Sequence, residues 1–198
     1  MEITDLPFLQ QAMTLMDLQP GDRILELGCG DGWACRRLAG RIPEGLIIGL
    51  DHSDDRIRDA RAKSTSFENI LYLWSAAEQI PWQEDFFTSV LCVDSICYFQ
   101  DLDKVFREVY RVLVPGGTFW IVDQTRREDG GSERMPSDMT TPVRPLTTEE
   151  QVTRLRQCGY KEVSSYSLHS SLADSQADAG EFPSPRGALL LSARKPQT

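Results

Sequence analysis

The absences in this sequence narrow its class before any motif is read. Apolar residues make up 40% of the 198-residue chain, yet they never gather into the ~18 consecutive positions that a membrane-spanning helix needs. The start, Met1-Glu2-Ile3-Thr4-Asp5, is acidic and has no basic leader running into an apolar core, so no secretory signal is expected. Positive charge is scarce: 21 Lys and Arg face 30 Asp and Glu, a net charge of −9. Gripping a phosphate backbone or an anionic lipid surface requires clustered cations. The most basic stretches here, Arg36-Arg37 and Arg126-Arg127, read as solvated surface, so neither nucleic acid nor membrane is an expected partner. Histidine is limited to His52 and His169, and the five cysteines (Cys29, Cys35, Cys92, Cys97 and Cys158) contain no Cys-x-x-Cys pair. No metal site is expected from that set. Their odd number, with Cys92 inside an apolar run, fits reduced thiols and a cytoplasmic location.

What is present is an alternation of strand-like and helix-like segments, which points to a parallel sheet with crossover helices. The pattern predicts an opening helix over residues 6–18, with Asp5 as its cap and Pro20-Gly21 beyond its end. Strands are predicted over residues 23–27, 46–50, 70–74, 89–93 and 118–123. Helices are predicted over 31–39, 54–63 and 101–112, the last with Leu102, Val105, Phe106, Val109 and Leu113 on one face. Pro115-Gly116-Gly117 breaks the chain before the fifth strand. Residues 124–146 are polar and rich in Pro, Ser and Gly, and read as a lid-like loop. Thr147 and Glu150 form a capping box for a helix to about Cys158, stopped by Gly159. Two strands over 163–168 and 188–193, with no helix between them, suggest an antiparallel hairpin. The expected fold is therefore α/β: a Rossmann-like, doubly wound, mostly parallel seven-stranded sheet with a C-terminal antiparallel hairpin. Length and the lack of internal repeats suggest one domain over 1–198, with 1–20 as an N-terminal helical segment.

Ligands of open α/β sheets bind at the carboxyl ends of the strands. The first strand runs into Glu26-Leu27-Gly28-Cys29-Gly30-Asp31-Gly32. Glycines there allow a tight turn and close backbone approach to a ligand, and the following helix is expected to direct free N–H groups toward an anionic group. Spacing separates the possible ligands. A dinucleotide fingerprint starting at Gly28 requires glycine where Trp33 stands, which argues against a nicotinamide-dependent oxidoreductase. A Walker loop lacks its Gly-Lys-Ser/Thr ending. Asp51 closes the second strand 21 residues after Gly30, where a carboxylate can accept hydrogen bonds from both hydroxyls of a ribose. His52 flanks it.

The Glu-x-Gly-x-Gly-x-Gly loop resembles motif I of class I S-adenosylmethionine-dependent methyltransferases. Over residues 15–123 the chain looks most like the ubiquinone/menaquinone-biosynthesis branch of small-molecule methyltransferases, the methyltransferase type 11 family. Arg111-Val112-Leu113-Val114-Pro115-Gly116-Gly117 is a second family-like landmark, with a structural role. The resemblance implies that Glu26 helps bind the methionine ammonium of S-adenosyl-L-methionine, directly or through water, while the backbone at Gly28, Cys29 and Gly30 packs against the cofactor. After the third strand, Ser75-Ala76-Ala77-Glu78 matches the family except that Ala76 stands where Asp is usual. Adenine recognition then falls to backbone amides around Ala76 and Ala77, or to water. Asp94, just past the fourth strand, is a candidate catalytic base, and it equally reads as a turn cap or a cofactor contact. Tyr98 reads as a substrate contact or a core aromatic, and Trp33 is a candidate lining of the methionine end.

The resulting expectation is an enzyme that transfers a methyl group to an oxygen, nitrogen or carbon of a small molecule. The alternative is a non-catalytic S-adenosylmethionine-binding regulator or scaffold. Either a monomer or a homodimer is compatible with the sequence.

Overall fold

A computed structural model describes residues 6–124, 146–169 and 187–197. Its centre is a seven-stranded sheet of order β3-β2-β1-β4-β5-β7-β6. The strands are β1 (Arg23–Leu27), β2 (Leu46–Asp51), β3 (Ile70–Trp74), β4 (Phe87–Val93), β5 (Leu113–Gln124), β6 (Lys161–His169) and β7 (Gly187–Arg194). From β3 to β5 neighbouring strands are parallel, and β7 runs antiparallel to both β5 and β6. The mostly parallel doubly wound sheet and its C-terminal antiparallel pair are thus as the alternation implied. Residues 125–145 of the expected lid (124–146), residues 170–186 between the last two strands, and the Asp5 cap lie outside the described residues.

Five α-helices among the described residues cover the two faces: α1 (Leu6–Leu15), α2 (Trp33–Ala39), α3 (Asp54–Lys63), α4 (Leu102–Val112) and α5 (Thr148–Gln157). One apolar cluster joins α1, α2 and α3 to Ile24, Ile47 and Tyr72. The other joins α4 and α5 to Leu25, Ile48 and Phe119. Successive strand residues point to opposite faces, so β1 contributes Ile24 to one cluster and Leu25 and Leu27 to the other. Glu26 therefore faces α2.

Several boundaries differ from the sequence pattern, three of them at turns: the end of α1 and the starts of α2 and β5. Helix α1 stops at Leu15, short of residue 18, and Asp17 takes a left-handed φ of 49°. Helix α2 starts at Trp33 because Gly32 before it is also left-handed, with φ 78°. Strand β5 begins at Leu113, before the Pro115-Gly116-Gly117 break, because Leu113 pairs with Phe87 and the register shifts before Thr118 pairs with Ser89. The glycines sit inside this irregularity, where Gly116 N–H donates to Lys195 O (3.0 Å) and Lys195 N–H to Gly117 O (2.9 Å). Elsewhere the local structure is regular: the Ser53 side chain caps α3, and Thr147 and Glu150 form both bonds of the predicted capping box.

Candidate functional site

Strand β1 lies between β2 and β4, where the sheet order reverses. A crevice forms outside the strand ends at such a switch point. The loop leaving β1 is pinned there by its own amides. Gly28 and Cys29 both donate to Leu50 O (2.8 and 3.0 Å), and Gly30 donates to Asp51 Oδ2 (2.9 Å). Gly28 and Gly32 have φ of 67° and 78°, and each also lacks room for a side chain. A Cβ on Gly28 would stand 2.5 Å from Ser95 Oγ, and one on Gly32 would overlap the Tyr72 hydroxyl. Ser95 Oγ–H reaches Gly28 O (3.1 Å) and Val93 O (2.9 Å), so the loops after β1 and β4 are joined.

At the start of α2, two of the amides face protein carboxyl groups. The N–H of Trp33 serves Asp31, and that of Cys35 serves Glu26. The Glu26, Asp31 and Asp51 carboxyl groups make this end of the sheet acidic, a setting for cations and hydroxyl donors.

Two of these carboxyl groups are buried. Glu26, 2% exposed, accepts the Cys35 thiol at 2.8 Å. Burial pushes its carboxyl up to about 7; the Cys35 hydrogen bonds oppose the rise, and the negative neighbours Asp31 and Asp51 add to it. Burial likewise pushes the Cys35 thiol well above its ordinary range. Asp51, 4% exposed, holds Gly30 N–H on Oδ2 and Ser53 N–H on Oδ1 (both 2.9 Å). His52 Nδ1 lies 3.5 Å from Asp51 Oδ1 with its side chain 70% exposed, a flanking position at the rim.

The remaining sequence candidates are more dispersed. Ala76 is exposed and Ala77 buried, and Ser75 N–H donates to Asp51 O (3.0 Å). Glu78 is engaged structurally: its Oε1 accepts the N–H groups of Gln100 (3.1 Å) and Asp101 (3.4 Å) ahead of α4. Asp94 is half-buried with a left-handed φ of 49°, and its N–H donates to Val122 O (2.8 Å). That backbone conformation is uncommon outside glycine. Tyr98 ends a 3-10 turn at Ile96–Tyr98 and is half-buried. Trp33 is partly buried against the α1–α2–α3 cluster.

Several participants carry no signal in the linear motif. Cys35, nine residues after Glu26, falls in an apolar helical pattern. Tyr72 fills the space beneath Gly32 and Gly49 and hydrogen-bonds Ser64 (2.8 Å). Trp74 keeps an exposed indole at the end of β3 by donating Nε1–H to His52 O (2.8 Å). The left-handed glycines hint that something crowds them, but not which residue does so.

Comparison with known proteins agrees with this architecture. A family model described as a methyltransferase domain matches residues 25–121. "Methyltransferase phqN" of Penicillium fellutanum is 34% identical over 112 residues, covering 54% of this chain and 34% of that protein. "Demethylmenaquinone methyltransferase" of Listeria monocytogenes serotype 4a is 30% identical over 120 residues, covering 59% of this chain and 51% of that protein. The chain thus spans between a third and about half of the length of these curated relatives. Among solved structures, the complex of the Haloferax volcanii Trm112 methyltransferase activator with a putative methyltransferase superimposes with a TM-score of 0.81. It is 24% identical and covers 96% of this chain and 88% of that one. This last likeness is one of fold.

Proposed function

We propose, from the methyltransferase-domain match over residues 25–121, that the chain belongs to that family, binds S-adenosyl-L-methionine and transfers the methyl group to a small molecule. The observation that carries this reading is the pair of buried carboxyl groups, Glu26 and Asp51, flanking a loop in which Gly28 and Gly32 leave no room for side chains. This donor set suits a ligand with an ammonium at one end and a ribose at the other. Glu26 would hold the ammonium. Asp51 has oxygen lone pairs beyond the two used by Gly30 and Ser53, and these would take the ribose hydroxyls. Gly28, Cys29 and Gly30 would pack against the ligand. His52, Ala76 and Ala77 would border the base.

When bound, the cofactor supplies a sulfonium-activated methyl group, which is already reactive. The protein's contribution is alignment and exclusion of water. Asp94 is proposed as a polar contact at the reacting end, available to accept a proton from an acceptor hydroxyl or amine. Trp33 and Tyr98 are proposed to shape the acceptor's surroundings. A small molecule of the quinone or related lipid class is the favoured acceptor, because the relatives include a demethylmenaquinone methyltransferase. A cytoplasmic enzyme acting as monomer or homodimer remains the working picture, with residues 1–198 as one catalytic domain.

Calorimetry with S-adenosylmethionine, S-adenosylhomocysteine and NAD tests the proposal. Both sulfur compounds should bind and NAD should not; NAD binding with no response to the others would overturn it. Asp51→Ala should weaken S-adenosylhomocysteine binding by about tenfold to a hundredfold, the loss expected for one or two hydrogen bonds to a charged acceptor. For Asp94, full turnover in Asp94→Asn would exclude a required base.

A further inference from the structure

We propose that this site takes up its cationic ligand with release of a proton: Glu26 is the neutral acid in the ligand-free protein and ionises as the ammonium docks against it. The inference rests on the proposed S-adenosylmethionine site and adds the charge state in which that site waits. Its basis is the surroundings of one carboxyl group. Glu26 is sealed between β1 and α2 at 2% exposure. The groups that face it are the Cys35 thiol and N–H from α2, Cys29 and Asp31 from the glycine loop, Asp51 from β2 and the Tyr72 phenol from β3. Among the described residues no Lys, Arg or His forms an ion pair with it. The nearby cations are engaged elsewhere: Lys63 pairs with Asp31 (2.6 Å), and Arg36 donates to Asp31 O (2.7 Å).

A carboxylate in that position would be a buried negative charge among acidic neighbours, held by a weak thiol donor and one amide. Such a charge is costly without a partner, and burial accordingly favours the protonated form. The ligand's ammonium reverses the balance, because an opposite charge within a few ångströms favours ionisation. The released proton passes to solvent. The sign follows: lowering the pH through the titration of Glu26 populates the form that cannot pair with the ammonium, and affinity falls. Cys35 is a positioning residue here, since its thiol favours the ionised form through the hydrogen bond.

The test is calorimetric titration of the full chain with S-adenosylhomocysteine between about pH 5.5 and 7.5, repeated in buffers of differing ionisation enthalpy. Affinity should rise roughly 25-fold across that range, with about half a proton released per ligand near pH 7. Glu26→Gln should bind with little pH dependence and more weakly than the parent throughout, with the deficit largest at the alkaline end. Cys35→Ser, with a stronger donor, should shift the affinity profile to lower pH, and it serves if Glu26→Gln does not fold. Infrared spectroscopy of the ligand-free protein supplies a readout without ligand: a protonated-carboxyl band near pH 6 that is absent from Glu26→Gln. Binding that is pH-independent and releases no proton would overturn this inference and leave the cofactor site standing. Absence of binding at every pH, with the infrared band present, would instead overturn the cofactor reading.

Discussion

Water scarcely reaches the Glu26 side chain, so its proton bears on folding as well as on binding. Its carboxyl is raised from 4.5 in the unfolded chain to about 7, so the folded state holds the proton more tightly. The associated stability is fully present below about pH 4.5 and is lost as pH rises through 7. The full difference is on the order of 3 kcal/mol. Ligand-free protein should therefore melt at lower temperature at pH 7.5 than at pH 5.5. Glu26→Gln should remove most of that slope and melt higher than the parent at pH 7.5, as checked by thermal unfolding across the pH range. Gly32 presents a steric counterpart. It combines a φ of 78° with a Tyr72 hydroxyl occupying the space of a Cβ. Gly32→Ala should cost about 2 kcal/mol or more, the left-handed penalty plus displacement of the ring, as read from urea unfolding.

At the scale of elements, legibility in the sequence follows how local the cause is. Helices α3 and α5 start where Ser53 and Thr147 imply, because a cap acts within one turn of its own helix. The start of β5 was not legible, because its partners are distant in the chain. Lys195 exchanges backbone bonds with Gly116 and Gly117, and its Nζ holds Leu113 O (2.7 Å) and Asp85 Oδ1 (2.6 Å). Lys195→Met should cost about 1–3 kcal/mol, since it leaves a carbonyl without its donor and Asp85 without its cation. Chemical denaturation measures this directly; cofactor affinity should change little, as this contact lies at the opposite end of β4 and β5 from Asp94.

For the whole molecule, strand order decides where chemistry can occur. The reversal at β1 and β4 brings Glu26, the glycine loop, Asp51 and Asp94 to the same end of the sheet. A ligand bound there contacts loops from several strands and should stabilise the fold as a unit. At a hundredfold excess over Kd, S-adenosylhomocysteine should add about 2.7 kcal/mol, which for a chain of this length raises Tm by about 5–10 °C. Differential scanning calorimetry checks it, and Asp51→Ala should show a much smaller rise at the same ligand concentration.

Alternation, caps and the glycine spacing were enough to specify the sheet, its hairpin and the loop from Glu26 to Gly32, because each depends on neighbours a few residues apart. The Asp51 position was legible for the same reason: a strand ends there. The tertiary structure alone decided which groups meet that loop. It turned the amides of Trp33 and Cys35 onto Asp31 and Glu26 and brought Glu26, Asp31 and Asp51 together as an acidic cluster. It also set the charge of Glu26, which depends on burial and on Cys35, Asp31 and Asp51 acting together through space. Electrostatics of that kind is a sum over distances, and only the folded chain brings those groups within reach.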